Sequence, residues 1–272
     1  MRTVEISDKI KIGKDQNLLL IAGPCQIQSL EHCLKIARFL QEVTAQLPIN
    51  LVFKSSFDKA NRTSASGARG PGIEAGLEIL NEVKKQTGLP LLTDIHDASQ
   101  AKPVAEVVDI LQIPAFLCRQ TDLLIAAGET GRAIHVKKGQ FLAPDDMKWV
   151  ASKIETTGNK NIILCERGTC HGYRDLVVDM RALHIMRSLG YPVVFDATHS
   201  VQSMGGAGGA SGGNREFIPP LARGAAAVGI DGIFIECHEA PETAPSDSAS
   251  MLNLNDMPAL LKSICLIRQA AS

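Results

Sequence analysis

LVFKSSFDKANRTS, residues 51–64, opens with three apolar residues and then changes character. Leu51, Val52 and Phe53 read as the end of a buried strand. Lys54, Lys59, Asn61 and Arg62 follow, interleaved with Ser55, Ser56, Asp58 and Thr63. A strand that runs into so many cationic and hydroxyl groups presents them at one place. Arginine offers a planar fork of donors for phosphate or carboxylate, and lysine a compact point charge. A solvated loop is the plainer alternative. Lys54 directly follows the buried run, however, which puts its base at the strand end and favours an anion site.

The same event recurs along the chain. Eight short apolar runs each end in chemically useful residues: LLLIAGPC (18–25), NLVFKSS (50–56), PLLTDIH (90–96), VDILQIPA (108–115), AIHVKKG (133–139), NIILCERG (161–168), PVVFDATH (192–199) and GIFIECH (232–238). Between them lies helical spacing. Ser29 is an N-cap candidate ahead of Leu30, Cys33, Leu34, Ala37, Leu40 and Val43 on one face. Comparable segments fall at 73–86, with Gly88 as a stop, and at 98–107, 120–127, 145–154, 173–189, 215–228 and 254–269. Near-continuous apolar runs are expected of parallel strands buried on both faces. Eight such units predict an α/β fold, a (β/α)₈ TIM barrel. A doubly wound open sheet is the runner-up, weakened because no G-x-G-x-x-G follows the first run.

Residues 3–13 alternate apolar and polar around Ser7-Asp8 and predict a β-hairpin, so residues 1–15 are expected to cap a single barrel domain over 1–272. SMGGAGGASGGN (203–214) follows the seventh run and is expected to form a loop over the active face. The 272 residues are 45% hydrophobic and 21% charged, which suits an ordinary globular protein. A net charge of −1 and 4% aromatic content give no sign of a nucleic-acid or anionic-membrane surface. Seven scattered cysteines, an opening without the apolar segment of a leader, and no long apolar run lead to the expectation of a cytoplasmic protein.

In a barrel the C-terminal strand ends converge on one face. Here they carry Cys25, Lys54, Asp94, His96, Gln112, Lys137, Lys138, Glu166, Arg167, Asp196, His199, Glu236 and His238. Burying such groups costs several kcal/mol each unless they face one another or a ligand. Lys54, Lys59, Arg62, Arg119, Lys137 and Arg167 are positioned to hold two anionic groups. Closure makes strands 7, 8 and 1 neighbours, bringing Cys25, His199 and Glu236 together, with Asp247 from the following loop. Such a mixed set suits a divalent ion, Zn²⁺ or Fe²⁺ being favoured by sulfur. A small buried residue is the alternative for Cys25. His96 and His238 are further candidates for ligation or proton transfer; His32, His135, His171 and His184 read as surface or packing residues.

KSSFDKANR, DIHD with SQAKPVAEVVDILQIPAFLCRQTDLL, VKKGQF, the ERGT–GYRDLVVDMR stretch and FDATHSVQ together resemble the 3-deoxy-D-manno-octulosonate 8-phosphate synthases, over Leu18 to Ile267. The resemblance implies a (β/α)₈ barrel, a homotetramer, and condensation of phosphoenolpyruvate with D-arabinose 5-phosphate in lipopolysaccharide Kdo biosynthesis. It implies that Lys54, Lys137 and Arg167 hold phosphoenolpyruvate, with Ser56 and Gln112 nearby. Asn61, Arg62 and Thr63 would meet the aldose, Asp94 its hydroxyls, and Arg119 the sugar phosphate of an adjacent subunit. Lys59 and His96 would handle the water or aldehyde, and Gln202 and Ser211 belong to the closing loop. Cys25 in IAGPC, with His199, Glu236 and Asp247, resembles the metal-dependent branch, which implies Zn²⁺, Fe²⁺ or Mn²⁺. NRTSASGARGPG and His135 depart from the family's usual residues. The rival within the same chemistry is 3-deoxy-D-arabino-heptulosonate 7-phosphate synthase, whose loop typically reads KPRTS. A Schiff-base aldolase using Lys137 and a non-catalytic sugar-phosphate sensor are weaker readings.

Overall fold

A strand places successive side chains on opposite faces, so each apolar run supplies one set of residues to the barrel interior and another to the surrounding helices. The computed structural model describes residues 1–62, 64, 67–171, 176–203 and 212–271. Thr63, Ser211 and residues 204–210 of the expected loop lie outside the described residues. Among the described residues, the barrel strands are β1 (Leu18–Gly23), β2 (Ile49–Lys54), β3 (Leu91–Asp94), β4 (Ile110–Ile113), β5 (Ala133–Lys137), β6 (Ile162–Glu166), β7 (Val193–Asp196) and β8 (Gly232–His238). They alternate with helices α1 (Leu30–Thr44), α2 (Ile73–Thr87), α3 (Ala98–Val107), α4 (Thr121–Glu129), α5 (Met147–Glu155), α6 (Arg181–Ser188), α7 (Ile218–Val228) and α8 (Met257–Ala270). Neighbouring barrel strands are parallel. β8 pairs with both β7 and β1, which closes the ring. The fold is the (β/α)₈ barrel expected, not the open sheet.

Local chemistry accounts for the helix ends. Ser29 accepts a hydrogen bond from the His32 amide at 3.1 Å, and Asp97 does the same for Ser99 at 2.9 Å. Gly88 ends α2 in the left-handed region at φ 69°, its amide bonded to the Lys84 carbonyl. The helix expected over 173–189 is shorter than the spacing predicted. Leu176–Val177 instead pairs antiparallel with Thr169–Cys170, and α6 starts only after Asp179 accepts the Arg181 amide at 3.0 Å. Cross-strand pairing thus claims apolar residues that a helical pattern had also fitted.

Outward positions such as Leu20, Phe53, Leu111, Leu164 and Phe195 pack under the helices. Inward positions Leu19, Ile21, Val52, Leu92, Ile110, Ile163, Val194 and Phe234 form a separate inner cluster. The N-terminal hairpin, Val4–Ser7 with Ile10–Ile12, adds Val4, Ile6 and Ile12 to that inner cluster. Arg2 holds it in place: its amide donates to the Gly190 carbonyl, and its guanidinium pairs with Glu155 and lies 4.7 Å from the Tyr191 ring centroid. The hairpin therefore fills the interior from the side of the barrel opposite the strands' C-terminal ends.

Two buried acids repeat one device a half-turn apart. Asp109, just before β4, accepts the Leu91 amide at 2.8 Å and the Lys84 ammonium at 2.8 Å. Asp231, just before β8, accepts the Val193 amide at 2.9 Å and the Arg187 guanidinium at 3.1 Å. Each ties the first residue of one strand to the entry of the next and to the helix that precedes the first of the two, α2 and α6 respectively. Replacing Asp231 by Ala leaves a buried strand amide without its acceptor. We expect a loss of about 1–3 kcal/mol in urea denaturation, with the barrel otherwise retained.

Candidate active site

The inward-facing pattern changes from aliphatic to polar at the C-terminal ends of the strands. Lys54, Asp94, Gln112, His135, Lys137, Asp196 and Glu236 are all buried there. Beneath them Phe234 offers its ring to several. The Lys137 ammonium lies 3.7 Å and the Lys54 ammonium 5.6 Å from its centroid. The His199 ring is 5.7 Å away and His135 stacks at 6.0 Å. The negative face of an aromatic ring suits a cation that water cannot reach.

Glu236 sits at the centre of the charge network. Lys54 pairs with it and also donates to the Cys25 carbonyl at 2.9 Å. Lys59 lies 4.0 Å from Glu236 and His199 Nε2 3.4 Å. Burial alone would push the Glu236 carboxyl up; Lys54, His199 and Lys59 outweigh it and hold the group well below the usual carboxylate range. Asp94 repeats the balance, with burial opposed chiefly by the His96 ring at 2.8 Å. Ser56 donates to Asp94 and receives Lys59 at 3.0 Å. Lys137 bonds Asp196 at 2.6 Å. Arg167 donates to Gln202 at 2.6 Å, while its buried Nη1 has no hydrogen-bond partner among the described residues.

Cys25 follows β1 and meets the loop after β8. Its thiol donates to Asp247 Oδ2 at 3.1 Å and lies 3.2 Å from Ser246 Oγ. Burial, reinforced by Glu236, pushes the thiol well above its ordinary value. Asp247 sits in the left-handed region at φ 50°, which aspartate tolerates better than most residues. Its other oxygen accepts Gln202 at 2.8 Å. Ligand atoms of Cys25, Glu236 and Asp247 all lie within 4.8 Å of one another; His199, the fourth residue expected, stands outside that group, with its Nε2 3.4 Å from Glu236. β1 and β2 approach closely here: a Cβ on Gly23 would stand 1.9 Å from the Lys54 carbonyl oxygen. Only glycine fits that contact.

One cavity of about 500 Å³ gathers most of the expected residues: Lys59, Asn61, Arg62, Asp94, His96, Gln112, Lys137, Arg167, His199, Gln202, Glu236 and Asp247 all line it. Cys25, Lys54 and Ser56 contact its wall from below through Asp247, Glu236 and Asp94. Arg119 is exposed and does not line the cavity; Thr63 and Ser211 lie outside the described residues. Lys138 turns away to the buried Glu166 at 3.6 Å and Thr169 at 3.1 Å. His238 likewise leaves the cavity, facing Gln28, His32 and Glu239. Sequence reasoning assigned no role to Asp196, Thr198, Ser246 or Gln26. Asp196 was visible as an acid three residues before His199. Gln26 meets the site through Arg62, and Ser246 lines the cavity and contacts Cys25 as well as Arg62, meetings that no spacing reveals.

Residues 2–269 match the family model described as the DAHP synthetase I family. The 2-dehydro-3-deoxyphosphooctonate aldolase of Granulibacter bethesdensis is 60% identical over 253 residues, 93% of this chain and 90% of its own. The protein of the same name from Agrobacterium fabrum is 57% identical, covering 95% and 92%. That from Cyanothece sp. is 56% identical over 99% of both chains. The chain belongs to the DAHP synthetase I family. Among the described residues no helix is long and apolar enough to cross a membrane.

His135, which read from the sequence as a surface or packing residue, is completely buried among the inward positions. Burial, with the Lys137 charge, pushes the imidazole down to about 3. Its Nδ1 meets Gln112 at 3.1 Å and its Nε2 has no hydrogen-bond partner among the described residues. In the unfolded chain the ring takes its proton near pH 6.5, so its contribution to stability is present above that pH and is lost as pH falls toward 3. Denaturant titrations of His135→Asn between pH 7 and 4 should show a slope flatter by up to about 1.4 kcal/mol per pH unit. An unchanged slope would mean that the ring is charged in the fold.

Proposed function

We propose that this chain condenses phosphoenolpyruvate with D-arabinose 5-phosphate and water, giving 3-deoxy-D-manno-octulosonate 8-phosphate and inorganic phosphate. What carries the reading is one cavity lined by Lys59, Arg62, Lys137 and Arg167 next to a buried thiol–carboxylate group. The names of the relatives agree with it.

In this reading C3 of phosphoenolpyruvate bonds to C1 of the aldose, water adds at C2, and phosphate leaves by C–O cleavage. Two anionic substrates repel each other, and the cationic wall offsets that repulsion while holding the reacting carbons in place. Lys54, Lys137 and Arg167 hold the phosphate and carboxylate of phosphoenolpyruvate, with Ser56 and Gln112 beside them. Arg167 Nη1 is a donor awaiting an acceptor. Asn61, Arg62 and Thr63 receive the aldose, and Asp94 its hydroxyls. Lys59 and His96 donate or hold a proton where the aldehyde oxygen becomes an alkoxide and water is added. Arg119 serves a neighbouring subunit of a homotetramer, and Gln202 and Ser211 belong to a segment that closes over the substrates. Residues 1–272 act as one domain, capped by the hairpin, in the cytoplasm.

Cys25, His199, Glu236 and Asp247 fit a divalent cation. Sulfur, nitrogen and two carboxylates are soft and hard donors in the mixture that Zn²⁺, Fe²⁺ or Mn²⁺ accepts, and two buried carboxylates beside a thiol favour positive charge. When bound, such an ion would polarise the aldehyde oxygen or the water.

Purified protein given phosphoenolpyruvate should release inorganic phosphate with arabinose 5-phosphate and far less with erythrose 4-phosphate. Preference for the four-carbon sugar would instead mark a 3-deoxy-D-arabino-heptulosonate 7-phosphate synthase. Chelator should abolish release and Zn²⁺, Fe²⁺ or Mn²⁺ restore it; Cys25→Asn should fail to respond to added metal. Arg167→Ala should lower kcat/KM for phosphoenolpyruvate by about 10²–10³, as measured in steady-state phosphate assays.

A further inference from the structure

Strand alternation places two pairs of residues back to back where β5 and β6 end. Lys137 and Arg167 line the cavity, whereas Lys138 and Glu166 point the other way and are completely buried. The Lys138 ammonium spends its three donors on the Gly139 carbonyl at 3.3 Å, the Leu142 carbonyl at 3.2 Å and the Thr169 hydroxyl at 3.1 Å. Glu166 Oε2 faces that ammonium at 3.6 Å and has no hydrogen-bond partner among the described residues. Its Oε1 accepts the Gly168 amide at 2.7 Å, a bond that spans Arg167 and holds the backbone on both sides of it. Two backbone bonds run beside the pair: the Lys138 amide donates to the Cys165 carbonyl at 2.8 Å and the Cys170 amide to the Gln140 carbonyl at 2.9 Å. The loop after β5 and the loop after β6 are thus joined directly behind the two cavity cations.

We propose that Lys138 and Glu166 are positioning residues: together they fix how far apart Lys137 and Arg167 stand, and with that the fit of phosphoenolpyruvate between them. The inference rests on the substrate proposed above. Each cavity residue is one peptide unit from a member of the pair, so a shift of either loop is passed to the ammonium or the guanidinium. Neither has the slack to correct it, since Lys137 is already tied to Asp196 and Arg167 to Gln202. Net stability alone gives little reason for such a pair. Burial pushes the Glu166 carboxyl up against the pull of Lys138 and the Gly168 amide, and a buried ion pair often contributes no more than apolar groups of the same size. What the pair supplies is direction, because each end must meet a carbonyl, a hydroxyl or an amide at a set place.

Three variants separate positioning from mere support: Glu166→Gln, Lys138→Met and the two combined. Either single change strands the other residue, so stability and substrate fit should both fall. The double variant has no stranded charge but still lacks the tie between the loops. Its thermal midpoint should return toward wild type while its affinity for phosphoenolpyruvate, measured by titration calorimetry, stays reduced. In phosphate assays its kcat/KM for phosphoenolpyruvate should drop by up to about 10²-fold, the scale of a displacement of about 1 Å, with KM for arabinose 5-phosphate unchanged. Thr169→Val withdraws one acceptor of Lys138 without touching either charge. It should weaken phosphoenolpyruvate binding in the same sense, and it decides the matter if the charge variants do not fold. Double-variant affinity equal to wild type, unchanged binding in Thr169→Val, or an equal rise in KM for both substrates would overturn the inference and leave the proposed function standing. A wild type that binds no phosphoenolpyruvate would overturn both.

Discussion

Glu236 keeps its charge in a place from which water is excluded, and the C-terminal end of the barrel is organised around that fact. A lone buried carboxylate would cost several kcal/mol and would take up a proton. Here Lys54 pairs with it from the second strand, His199 meets it from the seventh, and Lys59 stands behind. None of these partners is local in sequence. They meet because the ring is closed, and the closure makes the first, seventh and eighth strands one continuous surface. Attraction between such charges grows as water is excluded, so the ring supplies both the neighbours and the medium in which they matter.

The rest of the interior is consistent with that arrangement. Below Phe234 the side chains are aliphatic and are sealed by Val4, Ile6 and Ile12 of the hairpin. Above it almost every inward position is charged or hydrogen-bonding. The polar half is tolerable because its members satisfy one another. Ser56 serves Asp94, Lys137 serves Asp196, and Thr198 bridges Asp196 to the next strand. The few unsatisfied groups there carry information, since buried polar atoms normally have partners. Arg167 Nη1 is one, and it belongs to a cavity-lining residue.

Much of this was legible before any coordinates. Eight short, nearly continuous apolar runs, separated by helical spacing, lead to the barrel, and the barrel alone brings Cys25, His199 and Glu236 to adjacent strands. The residues that escaped were those whose role depends on direction. Lys137 and Lys138 are indistinguishable by position, yet alternation sends one to the cavity and the other to Glu166. His238 is two residues from Glu236 and still faces Gln28 instead of the cavity. Arg62 reaches Gln26 and Ser246 across a gap of up to 184 residues, a meeting that depends on how two loops fold over the rim. The segment 173–189 fitted a helix, yet within it Leu176 and Val177 pair with Cys170 and Thr169.

The same coupling bears on how variants at this end should be read. Lys54, Glu236, His199, Asp196 and Lys137 form one chain of contacts, each member sharing a partner with the next. Removing Glu236 strands Lys54, and removing Asp196 strands Lys137, so the measured cost of either includes the stranded neighbour as well as the lost contact. Effects within such a set do not add. A second deletion beside the first removes the charge that had been stranded, and it should cost less than it would alone. Among the described residues Arg62, outside the chain, shares no partner with it and should combine additively. The boundary between those two behaviours is a physical outline of the site, drawn by shared hydrogen-bond partners instead of by distance from a cavity.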